Sequence, residues 1–182
     1  MNPLERFAPW WVEGEELPVA LATATPDGRP SARMVLLKGF GSEGFTFFTG
    51  YESRKGRELE TNPRAALLFH RPGRQVRVEG RVERLTDEDA QRYFETRARE
   101  SRLGAWASPQ SRGLADRAEL DRRYAEAAER FAGRDVPLPE WWGGYRIVPE
   151  AFELWQNRPN RLHHRARYER AGHRWSRSRL AP

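Results

Sequence analysis

The hydrophobic period changes twice along this chain. From residue 18 to 85 apolar and polar side chains alternate about every second position, from 86 to 131 apolar ones recur about every 3.6, and from 145 to 179 the alternation returns. A parallel α/β sheet needs a helix after nearly every strand. Here the longer helices come as one block between two sets of strands, which predicts an antiparallel, mainly β fold: a small β-barrel with inserted helices. Turn signals at Pro26-Asp27-Gly28, at 41–44 and at Arg71-Pro72-Gly73 separate strands expected over 18–25, 31–38, 45–49, 65–70 and 75–85. Four more strands are expected over 145–148, 152–156, 162–168 and 173–179. Asn2 caps a short first helix with Pro3 at its first position, and Leu4, Phe7, Trp10 and Trp11 share one face. Further helices are expected over 53–61, from the Thr86 cap to about Arg99, and over 114–131, ended by Gly133. A chain of 182 residues suits one domain, 1–182, whose C-terminal strands (about 142–182) complete the barrel and the site.

Composition narrows the chemistry. A chain 32% charged and 38% hydrophobic could be disordered, but seven Trp, nine Phe and five Tyr oppose that. With no cysteine, disulfides, thiolate metal sites and thiol catalysis are excluded. The four histidines lack metal-ligand spacing with carboxylates, so no metal is expected. No apolar run approaches a membrane span and no secretory signal opens the chain, so a cytoplasmic protein without a membrane partner is expected. The net charge is +6, and of 32 basic residues only Lys38 and Lys55 are lysine. Such a balance favours an anionic partner, nucleic acid or a phosphorylated small molecule. The cations interleave with acids, which reads as a solvated surface rather than a nucleic-acid stripe.

Several clusters could carry chemistry. Arg33-Met34-Val35-Leu36-Leu37-Lys38 is an apolar strand bounded by cations. It also reads as a plain core strand, and a spacing of five needs a bulge or an end twist to bring both cations to one face. In Ser53-Arg54-Lys55 a serine cap puts two cations in the first turn of a helix, against its dipole unless an anion binds there. Tyr93 and Arg97 stand at i,i+4 on one helix face, with Ser101 just past its end: three donors suited to a phosphate, or an ordinary surface pair. Arg161, His163 and Arg165 would share one strand face beside Trp155, at an anion site or on a solvated edge. Gln75 opens the polar face of a long strand, where an amide could read a heterocycle edge. No Walker or dinucleotide fingerprint occurs.

Taken in order, these motifs resemble the pyridoxamine (pyridoxine) 5′-phosphate oxidase family. The likeness runs from Asn2-Pro3-Leu4 through Arg74-Gln75-Val76, Tyr93-Phe94, Ala105-Trp106, Gln110-Ser111, Trp142-Gly143-Gly144, Trp155-Gln156 and Arg161-Leu162-His163 to Arg179-Leu180-Ala181-Pro182. It implies an FMN-binding split β-barrel that works as a homodimer with flavin at the interface. The implied reaction oxidises pyridoxamine or pyridoxine 5′-phosphate to pyridoxal 5′-phosphate, with O2 as acceptor and hydrogen peroxide as product. By the same likeness FMN would lie on Arg33, Met34, Val35, Leu36, Leu37, Lys38, Phe48, Thr49, Arg54, Lys55, Gln75, Gln110, Ser111, Trp155 and Arg165. The substrate phosphate would meet Lys38, Tyr93, Arg97 and Ser101, and Arg161 and His163 would flank the pyridine ring as catalytic residues. The sequence departs from the family at His164, usually Asp, at Asn157, usually Gly, and at Phe48, usually Tyr. FMN oxidases of phenazine biosynthesis share the scaffold and are the alternative enzyme; a non-catalytic flavin binder is the alternative outside enzymes.

Overall fold

The computed structural model describes residues 2–11 and 17–182. The chain runs α1 (Pro3–Phe7), β1 (Leu17–Ala24), β2 (Pro30–Leu37), β3 (Gly39–Gly41), β4 (Gly44–Gly50), α2 (Arg54–Thr61), β5 (Arg64–Arg71) and β6 (Arg74–Arg84). It continues with α3 (Asp87–Thr96), α4 (Arg99–Ala107), α5 (Arg117–Arg130), β7 (Trp142–Gln156), β8 (His164–Ala171) and β9 (Arg174–Leu180). Among the described residues every strand pairing is antiparallel, in the order β2-β1-β5-β6-β7-β4-β3, with β8 on β7 and β9 on β8. This is the mainly β, helix-interrupted fold that the period changes predict.

The long strand β7 divides the sheet. Its first half pairs with β4, from Trp142 opposite Gly50 to Ile147 opposite Phe45, and its second half pairs with β8, from Ala151 to Gln156. The strand β6 lies along nearly its whole length. The sequence reading breaks this strand in two at Pro149; the structure keeps it whole. A bulge at Glu79/Gly80 sets Gly80 opposite Pro149 and Glu79 opposite Ala151, so the proline's missing N–H costs the ladder little. A Cβ on Gly80 would stand 2.1 Å from the Val148 carbonyl oxygen, so the bulge requires glycine.

Helix ends follow their caps. Asn2 accepts from the Leu4 amide, Ser53 from Gly56, Thr86 from Asp89 and Asp116 from Glu119. Helix α3 stops at Thr96 rather than near Arg99, and α4, which has no side-chain cap, is an addition to the sequence reading. Helix α5 starts at Arg117, three residues later than expected, behind its Asp116 cap.

The core is aromatic. Phe7 of α1 is fully buried, 4.8 Å from Phe40, 4.9 Å from Phe45 and 4.6 Å from Phe69 between ring centroids, in edge-to-face contacts. A second cluster of Leu103, Ala107, Ala127, Phe131 and Val136 joins α4 to α5. That helical pair is pinned to the strands by Trp141, whose ring meets Trp106 edge-on at 4.9 Å and whose Nε1 donates to the Ala105 carbonyl. Phe7→Ala should cost about 3–5 kcal/mol, the range for truncating a buried aromatic, and Phe7→Leu clearly less. Urea unfolding of both variants checks this.

Candidate active site

A cavity of about 1100 Å³ opens between β2, the β4–α2 corner and the α3–α4 region. Of the residues expected at a flavin or phosphate, it collects Arg33, Met34, Val35, Leu36, Lys38, Phe48, Thr49, Arg54, Lys55, Tyr93, Arg97, Ser101, Gln110 and Ser111. Leu37 turns the other way and is fully buried in the core. The strand β2 ends at Leu37, so Lys38 leaves the alternation, its amide bonded to the Thr46 carbonyl, and both bounding cations line one cavity.

The β4–α2 corner is polar and buried. Lys55 Nζ lies 3.0 Å from Thr49 Oγ1 and 3.3 Å from Ser53 Oγ, and among the described residues it meets no carboxylate. Burial, and then the charge of Arg33, lower its pKa to about 8. Thr49 in turn donates to Gln110 Oε1 at 2.8 Å, which also accepts the Gly50 amide at 3.1 Å. A backbone N–H can only donate, so the carbonyl end of Gln110 faces Thr49 and Gly50 and its NH₂ end points away from them. A Cβ on Gly56 would fall 2.0 Å from the Tyr51 carbonyl oxygen, so glycine lets the first turn of α2 close on that corner.

Beside Lys55 stands Glu58, missed in the sequence although its i,i+4 spacing from Arg54 is legible. It is 4% exposed and binds Arg54 Nε at 2.9 Å, Ser31 Oγ at 2.6 Å, Arg33 Nη2 at 3.4 Å and the Thr23 hydroxyl. Burial alone would raise its pKa, but the hydrogen bonds from Ser31, Thr23 and Arg54 and the charge of Arg33 win and hold it near about 2. Arg33 and Arg54 thus share one carboxylate while Lys55, in the first turn of the helix, bonds only to hydroxyls among the described residues, leaving an excess of positive charge that suits a dianion.

The far wall is a stack of rings. Phe48 and Tyr93 lie 3.9 Å apart at 17°, and Trp142 is parallel to Tyr93 within 7°. Arg97 is the residue that caps α3, in extended conformation, so the one-face helical pairing of Tyr93 with Arg97 is corrected: ring contacts bring them together. Its guanidinium lies 4.7 Å over Trp142, and its Nη1 is buried without a partner. Ser101 enters from α4, not from the end of α3, and Ser111 holds a left-handed backbone (φ 69°).

Gln75, Trp155, His163 and Arg165 line a second cavity, of about 520 Å³, which shares no residue with the first. Gln75 faces Trp155 and Trp155 faces Arg165 across β6, β7 and β8. The expectation that Arg161, His163 and Arg165 share a strand face is overturned: β8 begins at His164, and Arg161 sits in a 3-10 turn, Pro159–Arg161, with φ 61° after Asn160 at 57°. His163 instead packs 4.6 Å from the Trp155 ring and accepts the Arg158 amide at Nδ1, which puts the proton of the neutral imidazole on Nε2. Arg165 is tied to the buried carboxylate of Glu153 at 2.8 Å.

The buried lysine makes a testable claim. Its folded pKa of about 8 lies below the unfolded value of 10.5, so the unfolded chain binds more protons between these pH values. The ligand-free protein should therefore gain stability relative to Lys55→Met as pH rises from 8 to 10.5, measured by denaturant unfolding at fixed ionic strength. An unchanged difference across that window would show that Lys55 is not desolvated.

The family model described as Pyridoxamine 5′-phosphate oxidase matches residues 12–131, and that of the Pyridoxine 5′-phosphate oxidase C-terminal dimerisation region matches residues 142–182. The pyridoxine/pyridoxamine 5′-phosphate oxidase of Rubrobacter xylanophilus is 54% identical over 100% of this chain and 87% of its own length. The enzyme of the same name from Pseudomonas paraeruginosa is 51% identical over 100% and 89%. The crystal structure of PhzG from Burkholderia lata 383, in complex with tetrahydrophenazine-1-carboxylic acid, superposes with a TM-score of 0.89 at 32% identity, covering 100% of this chain and 93% of that one. The chain belongs to the pyridoxamine 5′-phosphate oxidase family.

Proposed function

We propose that this protein oxidises pyridoxine 5′-phosphate and pyridoxamine 5′-phosphate to pyridoxal 5′-phosphate, with FMN as its flavin and O2 as acceptor. One observation carries the reading: a single cavity is lined by two separate cations that no carboxylate pairs among the described residues, Lys55, bonded to two hydroxyls, and Arg97, whose Nη1 has no hydrogen-bond partner. A flavin mononucleotide and a phosphorylated substrate bring two phosphates. Full-length identity of 54% with an enzyme of that name supports the substrate, against 32% for the phenazine-related protein.

Arg33, Arg54 and Lys55 would hold the FMN phosphate, and Thr49, Gln110, Ser111 and the β2 residues from Arg33 to Lys38 would hold the rest of it. The bound flavin supplies the hydride acceptor that no side chain offers. Lys38, Tyr93, Arg97 and Ser101 grip the substrate phosphate, and this remote binding energy aligns the ring. Arg161 and the Nε2–H of His163 donate to the pyridine ring and its substituents as charge develops. Alcohol and amine alike would give up a hydride and a proton; the imine formed from the amine would then take up water and release ammonia, and O2, taking the two electrons and two protons, would leave as hydrogen peroxide.

Two copies complete each site in this reading. Trp142 lines the first cavity and Trp155 the second, thirteen residues apart on β7, roughly 40 Å along a strand at about 3.3 Å per residue. Even with the bend at the bulge, one mononucleotide does not span that distance within one chain. Met34 (63%) and Leu36 (38%) of the edge strand β2, which border the first cavity, and Leu68 (39%) of β5 are also exposed, apolar area that needs cover.

Two variants test the reading. Arg54→Ala/Lys55→Ala should weaken FMN by about 2–4 kcal/mol, from two charge-assisted contacts. Arg161→Ala should keep FMN but lose about 10²–10³ in kcat/KM, as for one preorganised donor. Both homodimers are then impaired at limiting FMN, yet dimers mixed from the two regain one intact site when cavities from different copies combine. No recovery on mixing would place each site within one chain, and peroxide release with reduced phenazine precursors but not with B6 phosphates would favour the alternative oxidase.

A further inference from the structure

Resting on the assignment of Tyr93 and Arg97 to the substrate phosphate, we propose that Trp142 is the positioning residue of that subsite. Its indole fixes both donors at once, Tyr93 by a parallel stack and Arg97 by a cation–π contact, and so sets where they meet a phosphate.

Among the described residues the Arg97 guanidinium is held by aromatic rings rather than by an acid. Arg97 lies beyond the last turn of α3 with extended backbone, and among the described residues no carboxylate pairs with it. Burial lowers its pKa, opposed only by Tyr93. Its guanidinium rests 4.7 Å over the Trp142 ring and 5.4 Å from that of Phe94, and Trp142 meets Phe94 edge-on at 5.1 Å. A buried guanidinium without an acid would otherwise sample several rotamers, and an aromatic face is the one partner that orients it without neutralising it. Tyr93 belongs to the same stack: its plane lies within 7° of Trp142 at 6.2 Å between centroids, and Phe48 contacts both rings, at 3.9 Å from Tyr93 and 5.7 Å from Trp142.

The fold fixes Trp142 firmly enough for this task. It opens β7 opposite Gly50, and its amide donates to the Pro139 carbonyl at 3.0 Å. Two residues on, a Cβ on Gly144 would come 2.7 Å from a Phe48 ring carbon, so glycine there is what admits Phe48 to the stack. A two-ring indole can serve Tyr93, Phe94 and Arg97 together; a phenyl ring cannot cover all three.

The test uses the FMN-loaded dimer. Trp142→Leu should raise KM for pyridoxamine 5′-phosphate on the order of tenfold, the value of a desolvated cation–π contact, with kcat within about threefold. Inhibition by inorganic phosphate should weaken by a similar factor, while FMN affinity, read from flavin fluorescence, stays unchanged. Trp142→Phe should recover part of the loss. In a double-mutant cycle, Trp142→Leu should add less than about threefold once Arg97→Ala is present, because the two act as a unit. Unchanged KM and phosphate inhibition in Trp142→Leu, full additivity with Arg97→Ala, or a fall in FMN affinity of similar size would overturn the proposal. If Arg97→Ala itself leaves KM and phosphate inhibition unchanged, the subsite assignment fails and this proposal fails with it; a strong Arg97→Ala effect beside a silent Trp142→Leu sinks the positioning role alone.

Discussion

Lys55 is an ammonium taken out of water whose hydrogen-bond partners among the described residues are hydroxyls, and the cavity is arranged around that cost. An isolated buried cation is tolerated when its pKa falls or when an anion arrives, and this site is open to both. Glu58 does not remove the excess. It is engaged by Arg33 and Arg54, and with its pKa near about 2 it stays ionised at any ordinary pH. The balance is therefore permanent: three cations, one carboxylate, and the free N–H groups of a helix start behind a serine cap. Arg54 and Lys55 oppose the helix dipole while the cavity is empty and complement a dianion when it is filled.

Strand β7 ties this electrostatic corner to the rest of the site. Its first residue, Trp142, borders the first cavity and its end, Trp155 and Gln156, the second. Between them Ile147 and Phe152 belong to the aromatic core. Packing that holds the sheet together thus also fixes the spacing between the two cavities, and the bulge at Gly80 sets the bend between them. The same economy appears at Glu153, buried on β7, which pairs with Arg77 on β6 and Arg165 on β8 and so aligns the strands that carry Gln75 and Arg165.

Much of the fold was legible because it rests on local rules. Period changes separate strands from helices, and Asn2, Ser53 and Thr86 announce their helices by capping chemistry. Failures occur where those rules are silent. Helix α4 has Ala98 at its start, with no capping side chain, and Gly104 in its middle, so its propensity is poor. Pro149 reads as a strand end because its tolerance depends on a bulge in another strand. Tyr93 and Arg97 line one cavity, as their spacing suggests, but the reason is tertiary: a ring on a strand far along the chain, not a shared helix face. Glu58 could have been found from its spacing to Arg54. The division of the site residues between two cavities could not, since no periodicity reports which ends of a sheet curl together.

The turn before β8 shows how far the site departs from local preference. Asn160 and Arg161 both hold left-handed backbone, tolerable for asparagine but costly for arginine, on the order of 1 kcal/mol or more. The strand reading fails here for that reason: an extended Leu162-His163-His164 segment would have placed Arg161 in line with Arg165. Instead the Leu162 amide bonds to the Pro159 carbonyl, the His163 amide to the Arg161 carbonyl, and the Arg158 amide to His163 Nδ1. These bonds close a tight loop that stacks His163 against Trp155 and carries Arg161 into solvent, where among the described residues it meets no carboxylate. A β-turn of ordinary residues would satisfy the same backbone groups without strain. Arg161 lines neither cavity of the single chain, so its strained backbone serves the loop that seats His163 against Trp155 at the second cavity.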